Sequence, residues 1–89
     1  MQISYKKSYQ KSFAKLDSII KQKTLEKIEL FLQNPHHPLL NTHFLKGKYK
    51  DFQSLNITWD YRAIFREVGK ERYEFVEFLY IGTHSDLYR

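Results

Sequence analysis

The sequence has 89 residues, 42% apolar and 17% aromatic, which predicts one small folded domain over residues 1–89 and excludes a disordered chain. Its 15 Lys and Arg residues outnumber its 10 Asp and Glu residues, and the formal charge of +5 favours a polyanionic partner such as RNA, DNA or an acidic protein. The absence of cysteine excludes disulfides and thiolate metal sites. No apolar run approaches the ~20 residues that cross a bilayer, and residues 1–6 lack the apolar core of a signal peptide, so a cytoplasmic location is expected.

The first third of the chain predicts a short strand and an antiparallel pair of helices. Alternation of apolar and polar residues over 3–5 predicts the strand. Ser8 is the predicted N-cap of the first helix, which places Tyr9, Phe13 and Leu16 on one stripe. The helical pair is expected to cover one face of a sheet.

The second helix is predicted to begin at Asp17 or Ser18, either of which can cap it. It is expected to end at Asn34, because the residue before a proline is pushed out of the helical region of backbone space. The apolar residues that recur at helical spacing along it are Leu25, Ile28, Phe31 and Leu32.

A loop with two adjacent histidines, His36 and His37, follows between the two prolines of the sequence. No Cys, Asp or Glu lies next to them, so their spacing does not match a recognised metal site. Both are expected to be solvated loop residues, and the sequence predicts neither a metal site nor a cofactor.

From residue 45 onward the spacing of apolar residues changes to two, which predicts strands. A brief strand and turn are expected at 45–48, followed by a strand in which Leu55, Ile57 and Trp59 alternate with polar residues.

Two long strands complete the prediction, at 61–68 and 72–80, joined by a hairpin tip at Gly69-Lys70. The last strand has aromatic residues on both faces, with Phe78 and Tyr80 on the same one, so it is expected in the interior of the sheet. The predicted fold is a small single α+β domain: an N-terminal short strand and helical pair packed on a C-terminal antiparallel β-meander.

Three segments stand out, in this order: His43 ahead of Leu45-x-Gly47, then Asp60-Tyr61-Arg62-x-Ile64-Phe65, then Ile81-Gly82-Thr83-His84-x-x-x-Tyr88. In a basic chain of this length they resemble the RelE/ParE superfamily of small toxins, and most closely its YafQ-type messenger-RNA interferases. The resemblance extends over nearly the whole chain and implies a RelE-like fold.

The resemblance implies the toxin of a type II toxin–antitoxin system, an endoribonuclease that cuts messenger RNA in the ribosomal A site without a metal and is silenced by an acidic antitoxin. In this reaction the ribose 2′-hydroxyl attacks the adjacent phosphorus. The protein must then supply a base, an acid and positive charge for the phosphorane.

The resemblance assigns catalytic roles to five residues, and each also has a structural interpretation. His84 and His43 are implied to transfer protons, and Asp60 to accept a proton or orient a histidine. Arg62 is implied to hold the scissile phosphate, and Tyr88 to stack or donate beside the cut. The structural alternatives are a strand-end hydrogen bond for His84, a solvated loop side chain for His43 and an Asx turn for Asp60. For Arg62 the alternative is a salt bridge to Glu74 or Glu77, and for Tyr88 it is an aromatic clamp on the C-terminus.

A second set of residues is predicted to contact the RNA. It comprises Lys46, Lys48, Lys50, Tyr61 and Asn56. The lysines are expected on backbone phosphates, although turn lysines are often only solvated. Asn56 stands where the closest family members have a further histidine, and an asparagine cannot exchange a proton near neutral pH.

Two other functions therefore stay open at the level of the sequence. One is a ParE-like gyrase inhibitor with the same fold and no ribonuclease activity. The other is a decayed toxin that binds its antitoxin and cleaves nothing, which the replacement of a histidine by Asn56 keeps open.

Overall fold

The structure is a computed structural model that describes residues 1–87, and these residues form five strands and three α-helices. None of these helices is long and apolar enough to cross a membrane. The elements are β1 (Gln2–Tyr5), α1 (Lys7–Ala14), α2 (Ser18–Gln33), β2 (His43–Phe44), β3 (Gln53–Asn56), β4 (Tyr61–Val68), β5 (Phe75–Thr83) and α3 (His84–Leu87), with short 3-10 turns at Pro38–Leu40 and Gly47–Tyr49.

The five strands form one sheet in the order β1-β5-β4-β3-β2. Strands β2 to β5 are an antiparallel meander, whereas β1 returns to pair in parallel with β5. The predicted α+β class, the opening strand and the interior position of the last strand are all confirmed. The sheet as a whole is mixed. A parallel pair of strands needs a long connection, and between β1 and β5 this connection consists of the two helices and the first three strands of the meander.

Three phenylalanines from three different elements form the centre of the core. The rings of Phe31, Phe65 and Phe78 are fully buried and lie with centroids 5.1 Å (31 to 65), 5.5 Å (65 to 78) and 6.0 Å (31 to 78) apart. Burial of a large apolar side chain stabilises by ~1.5–3 kcal/mol, so this cluster is a main reason that α2 packs on β4 and β5.

Helix α2 begins and ends where the sequence predicts. Asp17 is the N-cap and its Oδ1 accepts from the Ile20 N–H at 2.9 Å, and the helix ends ahead of Pro35. The predicted apolar stripe is wrong in part, because Leu25 and Leu32 are exposed. The buried stripe is instead Thr24, Ile28 and Phe31, and the threonine hydroxyl is satisfied by donating to the Ile20 carbonyl at 2.8 Å.

Helix α1 attaches to the edge of β5 where β1 ends. Lys6 occupies the N-cap and its N–H still continues the β1 ladder by donating to the Phe78 carbonyl at 2.9 Å, so the predicted cap at Ser8 is wrong. The Ser8 hydroxyl instead donates to the carbonyl of Leu79. One turn later the Ser12 hydroxyl accepts from the buried Ile81 N–H at 3.2 Å. The two serines thus satisfy backbone groups of β5 that have no neighbouring strand.

Several strand boundaries differ from the prediction. The short strand predicted at 45–48 lies at His43–Phe44, because Gly47 has a φ of +68° and begins a 3-10 turn. Strand β5 begins three residues later than predicted and runs to Thr83. The predicted tip at Gly69-Lys70 is the start of a wider turn that also contains Tyr73 at a φ of +58°.

A bulge in β5 changes which side chains share a face. Ile64 pairs with Tyr80 and Phe65 pairs with Phe78, which leaves Leu79 as the extra residue. Phe78 therefore points to the helices and Tyr80 to the opposite side, so the predicted common face for these two aromatics is wrong. We call the side of the sheet opposite the helices the outer face.

Candidate active site

The turn between β3 and β4, residues 57–60, is held by Thr58. Its hydroxyl accepts from the Tyr61 N–H at 3.1 Å, and the Ile57 N–H donates to the Tyr61 carbonyl at 2.9 Å. The alternative in which Asp60 makes an Asx turn is therefore wrong. Within residues 1–87 the Asp60 carboxylate has no hydrogen-bond or ion-pair partner, so this partly buried group is available for a ligand.

Asp60 and His84 are joined through their backbones. The His84 N–H donates to the Asp60 carbonyl at 3.0 Å and places the exposed imidazole beside the β3–β4 turn. A capping box fixes the helix that starts there, because the Thr83 hydroxyl accepts from the Asp86 N–H at 3.2 Å and the Asp86 carboxylate accepts from the Thr83 N–H at 3.3 Å.

Gly82 allows α3 to fold back against the sheet. A Cβ at this position would lie 3.0 Å from Cε2 of Tyr80 and 3.3 Å from Cβ of Asp86. Both separations are tighter than ordinary packing contacts, so a side chain here would require the Tyr80 ring and α3 to move by a few tenths of an ångström. This close approach is the physical reason for the glycine in the Gly82-Thr83-His84 sequence.

Arg62 lies on the outer face between these parts. It pairs in register with Gly82 on one side and Asn56 on the other. Its Nη1 donates to the carbonyls of Thr58 at 2.9 Å and Tyr61 at 3.3 Å, and its Nε and Nη2 have no partner within residues 1–87. The alternative salt bridge to Glu74 or Glu77 is wrong, since Glu77 is paired with Arg66 at 2.8 Å.

Two polar side chains of β3 on the outer face have buried oxygen atoms with no hydrogen-bond partner within residues 1–87. These atoms are the Asn56 Oδ1 and the Ser54 Oγ. A buried unsatisfied oxygen is costly, so such atoms are usually satisfied by water or by a ligand. Asn56 lies directly opposite Arg62, and together they present an acceptor and a cation at one end of the sheet.

His43 is ordered but lies apart from His84. Its Nδ1 is 2.8 Å from the Asn41 carbonyl, which can only accept, so Nδ1 carries the hydrogen and Nε2 is left as the acceptor in the neutral ring. His43 pairs with Ser54 on edge strand β2, three strands from β5. At ~4.8 Å per strand this is ~14 Å across the sheet, so the two histidines do not form one compact pair.

An apolar groove of about 300 Å³ crosses the outer face between the segment 45–52 and α3. Its sides carry aromatic and aliphatic groups, and α3 contributes one carboxylate. Such a groove fits a flat aromatic ring. The lining residues are Leu45, Tyr49, Phe52, Ile64, Leu79, Tyr80, Asp86 and Leu87.

The predicted RNA contacts fall in different places. Lys46, Lys48 and Lys50 are exposed beside the groove, on the 3-10 turn and its flanks. Tyr61 lies on the helix-covered face, partly buried against the core, and its predicted RNA contact stays a prediction. The predicted role of Tyr88 lies outside the described residues.

The turn 57–60 also presents a residue that the sequence reasoning missed. Trp59 is 86% exposed in this turn, where the alternation of Leu55, Ile57 and Trp59 predicts that the strand continues. The polar residues around it were the available signal for a turn.

No cluster of three or more His, Asp or Glu side chains in residues 1–87 is placed to hold a metal ion. Asp60 also lines a cleft against α2, together with Lys23 and Lys27. The candidate site is the end of the sheet where the backbones of Asp60, Arg62 and His84 meet, at a turn, a strand and a strand–helix junction. This is an arrangement for binding and proton transfer on an anionic ligand.

No protein-family model matches the sequence, and no curated protein matches it. Solved structures do. YafQ from E. coli strain BL21(DE3) superposes with a TM-score of 0.75 at 20% identity, over 99% of this chain and 98% of its own. The YoeB/ParE toxin from Agrobacterium tumefaciens gives 0.74 at 21% identity, over 94% and 99%. A copper-bound mutant toxin from Helicobacter pylori gives 0.70 at 28% identity, over 99% of both chains.

These comparisons show the fold alone: the chain is folded like small bacterial toxins of the YafQ and YoeB/ParE kinds, and the fold that the resemblance implies is confirmed. YafQ is also present in a solved E. coli DinJ–YafQ toxin–antitoxin complex, to which the chain is 23% identical at a TM-score of 0.73. The chain thus has the fold of YafQ and of the YoeB/ParE toxin over nearly its whole length.

Proposed function

We propose that this protein is the toxin of a type II toxin–antitoxin system and an endoribonuclease that cuts messenger RNA in the ribosomal A site. The observation that carries the proposal is the 3.0 Å hydrogen bond from the His84 N–H to the Asp60 carbonyl. It brings two residues that can exchange protons together at the end of the sheet where Arg62 lies, and an acid, a base and a cation are what phosphodiester cleavage by a neighbouring hydroxyl requires.

In the proposed reaction the RNA supplies its own nucleophile. One of the pair Asp60 and His84 removes the 2′-hydroxyl proton, and the 2′-oxygen attacks phosphorus. The bond from phosphorus to the 5′-oxygen breaks, and the other member of the pair protonates that oxygen. The products are a 2′,3′-cyclic phosphate and a 5′-hydroxyl, and no metal or cofactor takes part. The Nε and Nη2 hydrogens of Arg62 offset the negative charge that gathers on the phosphorane.

The rest of the outer face serves to bind the strand. Asn56 offers an acceptor next to Arg62 but cannot exchange a proton near neutral pH, so it binds and does not catalyse. The apolar groove accepts a base, and Lys46, Lys48 and Lys50 lie beside it for the backbone phosphates. His43 lies farther across the sheet from the cut, so its Nε2 contacts the same strand of RNA about one nucleotide or more away.

An acidic antitoxin is the proposed regulator. A chain of charge +5 whose active residues lie on an open sheet face has to be covered by a partner of opposite charge to be silenced. The DinJ–YafQ complex is a precedent in a protein of the same fold.

Mapping of transcript ends after induced expression tests the proposal. The wild type is expected to create new messenger-RNA 5′ ends and to arrest growth, whereas His84→Ala does neither. His36→Ala is the matched control, because His36 is an exposed histidine in the loop after α2 and should behave as wild type. Growth arrest with DNA damage and no new 5′ ends would instead identify a gyrase inhibitor. Folded protein without either effect would identify a decayed toxin.

A further inference from the structure

The N-terminal part of the chain is more basic than the rest of the molecule. Residues 1–16 contain four lysines and no aspartate or glutamate. The lysines are Lys6, Lys7, Lys11 and Lys15. Within residues 1–87 the ion pairs are made by Arg66 and Arg72, so none of these lysines is neutralised by a carboxylate.

Three of these lysines share one side of α1. Lys7, Lys11 and Lys15 recur every four residues, and Lys15 keeps helical backbone angles as the C-cap. With a rise of ~1.5 Å per residue, neighbouring members are ~6 Å apart along the helix axis. The lysines therefore form a row and not a scattered set of charges.

The row is held in a fixed position relative to the active site. Ser8 and Ser12, which lie beside the lysines on α1, bond to the Leu79 carbonyl and the Ile81 N–H of β5. Strand β5 continues from there through Gly82 to His84. The lysine row is thus attached to the same strand that positions the catalytic histidine.

Two of the lysines line a cleft that leads to that site. The cleft has a volume of about 390 Å³ and runs from Lys11 and Lys15 to Tyr61, Gly82 and Asp86. Tyr61 follows the proposed catalytic Asp60 directly, and Gly82 pairs with Arg62. The single carboxylate that lines the cleft, Asp86, is engaged with the Thr83 N–H.

We propose that α1 is a phosphate-binding track, on which Lys11 and Lys15 hold the RNA backbone as it approaches the site on the side opposite Lys46, Lys48 and Lys50. This inference rests on the proposed function, because it takes the polyanion to be RNA. The phosphates belong either to the messenger RNA or to ribosomal RNA around it. The row offers charge at regular intervals. Between its lysines Tyr9 is buried and Phe13 partly buried, and the exposed residues are Ser8, Gln10 and Ala14. The row therefore exposes no large apolar anchor of the kind that holds a peptide helix, which favours a phosphate backbone over an acidic protein.

The test compares the affinity for RNA of single neutralised variants. The probe is a labelled single-stranded RNA in which every ribose is 2′-O-methylated, so that it cannot be cut, titrated by anisotropy between ~50 and ~300 mM KCl. Lys11→Gln and Lys15→Gln are each expected to bind ~5-fold more weakly at ~0.1 M salt, and to lower the slope of log affinity against log salt by ~0.7. The matched control is Lys70→Gln, which removes the same charge in the β4–β5 turn at the other end of β4. The affinity of Lys70→Gln for the RNA should stay within about two-fold of the wild-type affinity, and so should that of Lys15→Arg.

A second arm uses ribosomes without messenger RNA as the probe. If the variants lose affinity only for the 2′-O-methylated RNA, messenger RNA is the source of the phosphates. If they lose affinity for the ribosomes, ribosomal RNA is the source. Equal losses for Lys11→Gln, Lys15→Gln and Lys70→Gln would overturn the proposal, because net charge alone would then explain binding. A titration with polyglutamate represents an acidic protein partner. If Lys11→Gln and Lys15→Gln weaken binding to polyglutamate but leave binding to both RNA probes unchanged, the proposal is overturned as well. If the Lys11 and Lys15 effects appear but the wild type cuts no RNA, the track stands and the proposed ribonuclease activity fails.

Discussion

The His84 N–H donates to the carbonyl of Asp60 at 3.0 Å, and this bond joins the end of β5 to the turn before β4. The two residues are far apart in the sequence, and neither has a local reason to be near the other. The bond therefore turns a C-terminal histidine and a turn aspartate into neighbours. It continues the β4–β5 register, in which Arg62 pairs with Gly82.

Replacement of Gly82 by alanine should disable the site without unfolding the protein. The added Cβ would lie 3.0 Å from Cε2 of Tyr80 and 3.3 Å from Cβ of Asp86, so the Tyr80 ring and α3 must give way by a few tenths of an ångström. We expect a loss of ~1–3 kcal/mol in the free energy of unfolding, as for other overpacked positions, and a larger relative loss of cleavage. Urea denaturation and a cleavage assay measure the two. Ser85→Ala, at an exposed position of α3, should change neither.

The replacement Arg62→Lys should slow cleavage even though it keeps the charge. The guanidinium bonds the Thr58 and Tyr61 carbonyls through Nη1 and still has Nε and Nη2 to offer, which a single ammonium cannot reproduce. A loss of roughly 10²–10³-fold in rate is expected, as for other donors to a developing oxyanion. Arg66→Lys is the comparison on the same face, where the arginine is bound to Glu77. Equal rates for the two variants would contradict a special role for Arg62.

The Ser12→Ala variant should destabilise the attachment of α1. The hydroxyl is the acceptor for the buried Ile81 N–H, and its removal leaves that donor without a partner. The expected cost is ~1–3 kcal/mol in the free energy of unfolding, whereas Ser18→Ala, at the exposed start of α2, should cost much less. Chemical denaturation of both variants gives the comparison, and equal stabilities would show that α1 is held by its apolar contacts alone.

Acid should weaken the turn between β4 and β5 through Glu67. Burial raises the pKa of this carboxyl, but the Tyr73 N–H and the Gln53 and Arg72 side chains outweigh it, and the net pKa is lowered. A lowered folded-state pKa means stabilisation that is fully present above the unfolded value of ~4.3 and is lost as the pH falls through the folded value.

Glu67→Gln should therefore cost ~1–3 kcal/mol in the free energy of unfolding at pH ~7, because hydrogen bonds to a charged acceptor are lost. The same variant should cost less at pH ~3 than at pH ~7, because the wild type loses the stabilisation from its carboxylate as the pH falls below the unfolded value of ~4.3 toward the lowered folded-state pKa. Urea denaturation at the two pH values measures the difference. A cost that does not change with pH would contradict the link to ionisation.

Features with a local physical cause could be predicted from the sequence. Pro35 ended α2, Asp17 capped it, and strand β4 occupied the predicted residues. Trp59 was misplaced because alternation continues through 55–59 while the Thr58 hydroxyl turns the chain, which periodicity does not register. The bulge at Leu79 depends on pairing with a distant strand, so the faces of Phe78 and Tyr80 could not be derived locally.

The candidate site was predictable as a set of residues but not as a geometry. Asp60, Arg62 and His84 could be named from the resemblance, and the structure places all three at one end of the sheet. The distance of His43 from them, and the basic row on α1, follow from strand order and from the two serine contacts to β5. Neither is encoded in the spacing of those residues along the chain.

The proposed function depends above all on Asp60 and His84 cutting RNA by attack of a ribose 2′-hydroxyl. End-group analysis of messenger RNA cut on purified ribosomes examines this step, with a second transcript that has one 2′-deoxyribose on the 5′ side of the mapped cut. We expect 2′,3′-cyclic phosphate and 5′-hydroxyl ends with the first transcript, no cut at that position with the second, and no cut by Asp60→Asn or His84→Ala. Cleavage of the 2′-deoxy transcript at the same position, or 5′-phosphate ends, would contradict it.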